Sequence, residues 1–464
     1  MNNLKIAIAG AGTGGLAAAI ELAKAGFEIT VLEAKKEENY YDTHNWSDAV
    51  EYGALKEVGF DMPEILENSY SGALVKTYPV ADDAEDEKIF EPHRINPLHV
   101  FDPEYRCEAK TPARFEYILV DRKALCRKQV KDAKNLGVNI VFDAPVSGLL
   151  GDIEGSLSEI KVTGIKALID GSETDMNFDL VVDATGAQSK LRKMLGASEI
   201  NIDFPKDEFA LVYRTIRHYS SGGKLDTFLD QYRYCTHKGY FWIQFQNGDA
   251  DGGMVDIGGG VPSGDYNAKD IVNEMVASYP QLSNEEIRGG SGIVHIGFPP
   301  DALVASGFAV LGDAASQSIP SNGCGVGATM IAAKELARVV KAAKGTGIED
   351  LWEYAAAWYR GRGADYAALF STNKVLTVLT HDEIYVMIKR NIMGGKMLNY
   401  NFNGLFPPQT LSSVMQVLPL FFSNRKLFSQ LLKASVTGKK FYQHYKKYPL
   451  EWNQAALTEW ISTK

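Results

Sequence analysis

Three glycines near the start of the chain have the spacing of a turn that binds a pyrophosphate. Gly10-x-Gly12-x-x-Gly15 directly follows residues 5–9, which are typical of a short buried strand. Gly10 suits the tight turn, Gly12 lets the backbone approach the phosphates, and Gly15 allows a helix to pack closely on the strand. This spacing predicts a dinucleotide site, and a purely structural glycine turn is the alternative.

The elements around this turn favour the dinucleotide. Residues 16–25 predict a helix and residues 27–32 a second strand, which ends in Glu33. A carboxylate at that position can accept hydrogen bonds from a ribose diol, and it would repel a 2′-phosphate. The helix N-terminus offers unpaired N–H groups to the pyrophosphate. We add Thr13 and Ala34 to the binding candidates of this unit.

Two later segments repeat the pattern of a buried strand followed by a glycine turn. The first is 178–186, which is followed by the cationic stretch 187–192. The second is 307–315, which continues through the turn 320–325 into an alanine-rich helix at 328–340. The binding candidates from these segments are Thr185, Gly186, Gly312, Asp313, Pro320, Gly323, Gly325 and Val326.

Between these two segments the sequence changes character. Residues 208–260 alternate aromatic and polar side chains and turn at 247–249, which predicts antiparallel strands. A piece around 73–80 could pair with them, and the resulting sheet would roof a substrate cavity. We therefore predict an α/β protein with a Rossmann-type domain, an inserted antiparallel β-sheet domain and a helical C-terminal region. The expected boundaries are 1–75, 105–195 and 296–345 for the nucleotide-binding domain, 76–104 and 196–295 for the substrate domain, and 346–464 for the helical domain.

Charge and cysteine content exclude several classes of protein. The net charge is −10 and the isoelectric point about 5.4, which argues against a nucleic-acid partner. The four cysteines form no CxxC pair, so a reduced cytosolic setting is expected, with neither disulfides nor a metal site. The chain starts directly with its first strand, which leaves no room for a signal peptide. No apolar run approaches the ~20 residues that span a bilayer. We expect a cytoplasmic protein.

Together the three glycine-marked segments resemble the flavoprotein family with the para-hydroxybenzoate-hydroxylase-like fold. That family includes aromatic hydroxylases, flavin-dependent halogenases and geranylgeranyl reductases. The resemblance implies FAD as cofactor, with its ADP part on the first segment and Asp313 bonded to the ribityl chain. It also implies that the turn 320–325 passes beside the flavin ring. The helix that follows would direct its positive end at the flavin, where negative charge accumulates on reduction.

Within the family the chain is most similar to geranylgeranyl reductases. Residues 46–50, Trp-Ser-Asp-Ala-Val, stand where those enzymes have a Cys-Gly-Asp-Ala-Val-like run. Residues 239–245 resemble their Gly-aromatic-x-Trp-x-Phe-Pro strand, which lines the cavity over the flavin. Asp121-Arg122-x-x-Leu125 matches a family motif and implies that Arg122 neighbours the flavin. We also include Val146 among the cofactor-binding candidates.

Three departures from the family pattern lie near the implied reaction centre. Trp46 replaces the family cysteine, Gln246 replaces the proline after the aromatic strand, and Cys324 replaces a glycine of the flavin-facing turn. The substrate therefore need not be the usual lipid of the family.

A flavin exchanges a hydride at its N5 atom, so the protein has to orient the substrate, exclude water from the site and supply a proton donor. The catalytic candidates are His44, Trp46, Asp48, Tyr240, Trp242 and Cys324. His44, Asp48, Tyr240 and Cys324 are the possible donors, whereas Trp242 suits a cavity wall. The alternatives are a surface loop histidine for His44, core aromatic residues for the two tryptophans and a small packing residue for Cys324.

These observations predict an FAD-dependent oxidoreductase that reduces or desaturates a C=C bond of an apolar substrate such as an isoprenoid. The first alternative is a monooxygenase or halogenase, although the strand 240–245 lacks the first Trp and the Pro of the halogenase Trp-x-Trp-x-Ile-Pro run. The second alternative is a redox-neutral isomerase or cyclase. There is no second dinucleotide fingerprint, so electrons would come from NAD(P)H or ferredoxin. The aromatic and basic stretches 414–426 and 439–447 predict a helical lid or, alternatively, peripheral membrane contact.

Overall fold

The structure is a computed structural model, and it describes the backbone of most of the chain. The described residues are 4–44, 47–60, 90–94, 99–101, 116–220, 231–235, 239–247, 251–262, 267–278, 282–376, 379–392, 397, 400–401 and 403–464. Trp46 and the predicted pairing segment 73–80 lie outside the described residues. For Tyr240 and Trp242 the structure describes the backbone alone.

A mostly parallel sheet forms the nucleotide-binding part of the molecule. Its strands are β1 (Lys5–Ala9), β2 (Glu28–Leu32), β7 (Asn139–Val141), β11 (Leu180–Asp183), β17 (Val304–Ala305) and β18 (Phe308–Val310). Their order is β17-β18-β11-β1-β2-β7, and β17 alone among them pairs in an antiparallel manner. Four of the five residues of β1 and of β2 are buried, as expected for strands covered on both faces. The three glycine-marked segments of the sequence thus contribute neighbouring strands.

A second sheet has six strands in the order β16-β12-β15-β14-β13-β5. They are β5 (His99–Phe101), β12 (Phe209–Ser220), β13 (Gln231–Cys235), β14 (Gly239–Asn247), β15 (Asp251–Pro262) and β16 (Leu282–His295). All its pairs are antiparallel except β13 with β5. This is the antiparallel sheet that the alternating pattern predicted. The turn predicted at 247–249 lies at the end of β14, and residues 248–250 are outside the described part.

Two three-stranded antiparallel sheets complete the β-structure. The first contains β3 (Ser47–Glu51), β4 (Phe90–Arg94) and β6 (Glu116–Asp121), and the second contains β8 (Val146–Asp152), β9 (Lys161–Ile169) and β10 (Ser172–Asn177).

Helices cover the parallel sheet and form the C-terminal region. They are α1 (Thr13–Lys24), α2 (Glu37–Tyr40), α3 (Tyr52–Val58), α4 (Arg122–Asn135), α5 (Ala268–Ser278), α6 (Val326–Ala342), α7 (Ile348–Trp358), α8 (Ala364–Leu376), α9 (His381–Lys389), α10 (Leu411–Val417), α11 (Leu420–Ser423), α12 (Arg425–Tyr445) and α13 (Gln454–Ser462). The predicted fold class is therefore confirmed. Among the described residues, none of these helices is long and apolar enough to cross a membrane.

The local predictions were accurate to within a few residues. Helix α1 begins at Thr13 rather than at residue 16, because the glycine turn leads directly into it. Strand β2 begins at Glu28, one residue later than predicted. The domain boundaries stay a prediction.

Candidate functional site

One cavity of about 600 Å³ brings the three glycine-marked segments together. The predicted residues that line it are Gly10, Gly12, Thr13, Gly15, Glu33, Ala34, His44, Asp48, Arg122, Val146, Thr185, Gly186, Gly312, Asp313, Gly323, Cys324, Gly325 and Val326. Pro320 is buried and does not line the cavity. The side chains of Trp46, Tyr240 and Trp242 are not described, so their roles stay predictions.

The first glycine turn has the geometry that its three glycines predicted. Gly10 has a φ of +101°, and a Cβ atom there would lie 2.6 Å from the carbonyl oxygen of Ala184. A Cβ atom on Gly15 would lie 2.0 Å from the carbonyl oxygen of Gly10. A Cβ atom on Gly12 would meet no atom of the described protein within 4 Å. Gly12 therefore faces open space inside the cavity, whereas Gly10 and Gly15 are required by the fold.

Glu33 lies beside this turn, where the sequence placed a ribose-binding acid. The backbone N–H of Ala11 donates to its Oε2 over 2.9 Å, and the N–H of Lys35 donates to its Oε1 over 3.0 Å. Each carboxylate oxygen can accept more than one hydrogen bond, so both retain capacity for hydroxyl groups. The two backbone bonds hold the carboxylate at the cavity wall.

Two helices begin at the same cavity. Helix α1 starts after Gly12 and helix α6 starts after Gly325, and neither has a side chain that caps its N-terminus. The first N–H groups of a helix have no partner within the helix, and its dipole makes this end positive. The cavity therefore offers two positive helix ends, which suits an anionic dinucleotide.

Asp313 lies in the cavity wall just before the second of these helices. Within the described part of the chain no group donates a hydrogen bond to its carboxylate. Burial raises the pKa of Asp313 above its usual value, and the positive charge of Arg122 opposes this rise. An acceptor without a partner in a largely buried position indicates a hydroxyl-bearing ligand.

Four charged side chains form a buried network at the edge of the cavity. Asp48 bonds to Nη1 of Arg122 and, over 2.7 Å, to Nη1 of Arg214. Arg214 also bonds to Asp256, whose side chain is fully buried. Nη2 of Arg122 donates to Thr13 Oγ1 over 3.1 Å. Two cations and two anions alternate, so the charges within the network balance.

This network changes the interpretation of Asp48. Two guanidinium groups favour the ionised carboxylate, because an opposite charge at hydrogen-bond distance stabilises it. An ionised carboxylate can accept a proton but has none to donate. Its ion pairs show that Asp48 holds Arg122 and Arg214 together, and its role as a proton donor stays a prediction.

His44 lines the cavity, so the alternative of a surface loop histidine is wrong. Burial, with the positive charges of Arg122 and Lys35, lowers the pKa of His44 to about 3. The imidazole is then neutral at pH 7, and it is a poor source of a proton. His44 stays a candidate for positioning a ligand in the cavity.

Cys324 also lines the cavity, in the turn between Asp313 and helix α6. Burial raises the pKa of its thiol well above the usual value, and the negative charges of Glu51 and Asp48 add to this rise. The thiol therefore keeps its proton at neutral pH. Of the four predicted donors, Cys324 is the one whose described side chain lines the cavity and carries a proton at pH 7.

We expect Cys324 to react with iodoacetamide at least about tenfold more slowly at pH 8 than it does in the urea-unfolded chain, because alkylation requires the thiolate. The tryptic peptide 289–334 contains this cysteine and no other, so mass spectrometry can follow it separately. In the folded protein the rate should still rise above pH 9. If the alkylation rate of the folded protein reached its plateau at the same pH as that of the urea-unfolded chain, the raised pKa of Cys324 would be contradicted.

Sequence analysis did not identify two residues that are important in the site. Arg214 lines the cavity from strand β12, and Asp256 pairs with it from the neighbouring strand β15. Both are charged residues within runs of apolar and glycine residues. This pattern could have indicated that they are buried and have a partner. Their partnership depends on the strand pairing, which the sequence does not reveal.

The observations above agree with FAD as the group that the cavity holds. Gly12 leaves room for a close backbone approach, two uncapped helix ends face the cavity, and Asp313 has an unused acceptor. In the described part of the chain, Nε of Arg122 is buried and has no hydrogen-bond partner. A dinucleotide with phosphate and hydroxyl groups would satisfy each of these positions.

Comparisons with known proteins agree with this fold and site. Residues 8–56 match the model of the NAD(P)-binding Rossmann-like domain family. A digeranylgeranylglycerophospholipid reductase of Methanothrix thermoacetophila is 24% identical over 399 residues, which are 82% of this chain and 89% of that protein. A geranylgeranyl bacteriochlorophyll reductase-like protein from Thermoplasma acidophilum superposes with a TM-score of 0.67 at 14% identity, covering 93% of this chain and 99% of that one. The flavin-dependent brominase Bmp2 superposes with a TM-score of 0.58 at 14% identity, covering 91% and 99%.

The fold is that of flavin-dependent enzymes, and the cavity has the features expected of an FAD site. Within that class it is similar to the geranylgeranyl reductases, and the resemblance predicted from its motifs is confirmed.

Proposed function

We propose that the chain reduces a C=C bond of an apolar isoprenoid substrate with bound FAD. The observation that carries the proposal is the single cavity shared by the three cofactor segments and the antiparallel sheet. The sheet contributes mainly small and apolar residues to the cavity wall, namely Val212, Gly290, Ser291, Gly292, Ile293 and Val294. The reductase names of the relatives support the same reaction and an isoprenoid substrate.

Different residues of the cavity would bind different parts of the cofactor. We assign the pyrophosphate to the turn at Gly12 and the start of α1, the adenosine ribose to Glu33, and the ribityl hydroxyls to Asp313. Arg122, with its unused Nε donor, would hold the flavin side of the cofactor. Reduced FAD would supply the hydride that one carbon of the double bond accepts.

Cys324 is the proposed source of the proton for the other carbon. Its thiol keeps a proton at neutral pH and lines the cavity. After the transfer a thiolate remains, which burial and the negative charges of Glu51 and Asp48 disfavour and which the positive charge of Arg214 partly stabilises. A proton from water would then restore the thiol. Hydride and proton together add two hydrogens to the substrate.

We propose NAD(P)H or ferredoxin as the source of the two electrons, and a cytoplasmic location for the protein. The proposed electron donors rest on the single dinucleotide fingerprint in the sequence. The proposed location rests on the four cysteines, which form no CxxC pair.

The halogenase alternative is less well supported by the cavity. Halogenases of this family carry a pocket lysine, whereas the lysines that line the described cavity are Lys35 and Lys190. Both follow strands of the parallel sheet, and neither belongs to the antiparallel sheet that would cover a substrate.

Product mass tests the proposed reaction. The holoprotein, reduced with dithionite under anaerobic conditions, should convert a geranylgeranyl glycerophospholipid in detergent into a product with two more hydrogens for each bond reduced. The Cys324→Ala holoprotein should form the same product at least about a hundredfold more slowly if this thiol is the acid. An unchanged mass would instead indicate isomerisation. Added oxygen or halogen, formed when air and halide are admitted, would indicate the monooxygenase or halogenase alternative.

A further inference from the structure

The C-terminal region has a charge opposite to that of the rest of the chain. Residues 384–450 contain ten Lys and Arg residues and no Asp or Glu. Because the whole chain carries −10 and this segment carries +10, the remaining residues carry −20. A cationic segment on an acidic protein indicates a surface that meets a negatively charged partner.

The same region exposes an unusual number of large apolar side chains. Leu411 and Phe422 are each 80% exposed, and Met415 is 58% exposed. We define the apolar face as these residues and their exposed neighbours on α10, α11, α12 and the turn between α10 and α11. It consists of Leu411, Val414, Met415, Leu418, Phe421, Phe422, Leu432 and Val436. Contiguous exposed apolar patches of this kind mark interaction surfaces.

Contacts between the three helices make this face continuous. Nε2 of Gln409, just before α10, donates to the carbonyl oxygen of Ser435 on α12 over 2.7 Å. The rings of Phe421 on α11 and Phe428 on α12 lie 5.5 Å apart. The start of α10 therefore lies beside the middle of α12, and α11 lies beside the first turns of α12.

The opposite side of α12 packs on the protein. Leu427 is fully buried, and a Cβ atom on Gly438 would lie 2.8 Å from the ring of Phe406 and 3.0 Å from Thr372 of α8. A surface helix usually turns its apolar stripe inward and its polar residues outward. Helix α12 has an inner apolar stripe and, in addition, exposed Leu432 and Val436 on its outer side.

Cations surround the apolar face. Arg425, Lys433 and Lys439 are exposed on α12, and no carboxylate of the described residues pairs with any of them. Lys426 is also exposed and lies 3.5 Å from the carboxylate of Glu383. Apolar side chains with Lys and Arg around them are the composition of helices that lie in the interface of an anionic bilayer.

We propose that the apolar face docks on the surface of an anionic lipid bilayer, with α10, α11 and α12 lying along it. Charge complementarity selects this occupant over a symmetric dimer through the same face, because two such faces would bring like charges together. None of these side chains lines the described cavity, and the lid interpretation of this region stays a prediction.

The docking face is joined to the cavity by a short stretch of chain. Ser321, in the turn that carries Cys324, donates a hydrogen bond to the carbonyl oxygen of Asn401, ten residues before Leu411. A lipid substrate taken from the bilayer would therefore enter near this turn. That consequence rests on the proposed function, whereas the docking itself does not.

Vesicle sedimentation of the full-length holoprotein tests the docking. The protein should bind phosphatidylcholine vesicles that contain phosphatidylglycerol, and binding should weaken as salt is added. Phe422→Glu should lower this binding at least about tenfold, because it removes one buried aromatic side chain from the interface and adds a negative charge. Leu136→Glu, at an exposed apolar residue beyond the end of α4, is the matched control and should bind like the wild type.

Three results would overturn the proposal. The first is equal binding to vesicles with and without phosphatidylglycerol, and the second is equal binding by the wild type and Phe422→Glu. The third is a wild-type dimer that does not bind vesicles and that Phe422→Glu converts to a monomer, which would assign the face to a second copy of the chain. The assay measures no catalysis, so its failure is distinct from failure of the proposed reaction.

Discussion

Gly12→Ala should lower the affinity of the apoprotein for FAD by at least about tenfold, equivalent to about 1.4 kcal/mol, without destabilising the fold. The added methyl group would meet no protein atom within 4 Å, and the backbone at Gly12, with φ −62° and ψ 170°, is allowed for alanine. The methyl group would instead occupy the space through which the backbone approaches the pyrophosphate. The free energy of unfolding of the apoprotein should stay the same or rise by about 0.4–1 kcal/mol.

Two other glycines provide controls for this experiment. Gly53→Ala, on the exposed side of α3, also adds a methyl group that meets no atom within 4 Å, and it lies outside the cavity. It should leave FAD affinity unchanged. Gly15→Ala places a methyl carbon 2.0 Å from a carbonyl oxygen, so it should impair folding itself. FAD titration by flavin fluorescence and urea unfolding measure both quantities, and a Gly12→Ala protein with wild-type FAD affinity would disprove the assignment of the turn.

Asp48→Asn should reduce the free energy of unfolding by about 3 kcal/mol, because it leaves two arginines without their shared carboxylate. Asp48 bonds to Arg122 and Arg214, and these three side chains are at most 21% exposed. In this variant Arg214 still pairs with Asp256, and Arg122 still donates a hydrogen bond to Thr13. The expected loss of unfolding free energy is therefore near the lower end of the range for breaking a buried ion pair. Urea unfolding of the apoprotein measures the loss without a contribution from FAD.

An exposed ion pair supplies the comparison for Asp48→Asn. Glu353 lies 2.7 Å from Arg338, and their side chains are 59% and 50% exposed. Glu353→Gln should cost no more than about 1 kcal/mol, because water screens such a pair. If Asp48→Asn costs no more than Glu353→Gln, the buried network contributes little to stability and its assignment as a structural element fails.

The network has a consequence for the whole site. Asp48 lies on β3, Arg122 begins α4, and Arg214 and Asp256 lie on β12 and β15. The four side chains therefore connect the antiparallel sheet to the part of the chain that holds the first glycine turn. A ligand in the cavity would contact both sides of this connection, since Arg122 and Arg214 line it.

The cofactor half of the site could be predicted from short stretches of sequence. Local backbone requirements select glycine at a φ of +101°, a small residue at a helix start and an acid at the end of a strand. Such requirements act within a few residues, so Gly10, Gly12 and Glu33 were identifiable. Convergence of the three segments followed from their shared strand-and-turn pattern, because neighbouring parallel strands present such turns at one edge of the sheet.

The chemistry of the site could not be predicted in the same way. Asp48 and His44 were both reasonable proton donors by residue type. Their surroundings are set by residues that are distant in the sequence: Asp48 bonds to Arg214, which is 166 positions away, and burial and Arg122 lower the pKa of His44. Electrostatic interactions fall off with distance in space and are independent of separation along the chain.

The amino-acid sequence alone was sufficient for the Rossmann-type unit, the inserted sheet, the FAD cofactor and the resemblance to geranylgeranyl reductases. The Rossmann-type unit and the inserted sheet depend on local backbone geometry or on periodic patterns of side chains, whereas the FAD cofactor and the likeness to geranylgeranyl reductases were implied by the resemblance of the motifs to that family. The arginine–aspartate network, the protonated thiol of Cys324 and the outward direction of Phe422 became known from the folded chain. They depend on which side chains are brought together or left uncovered when distant segments pack, and periodicity carries no information about that.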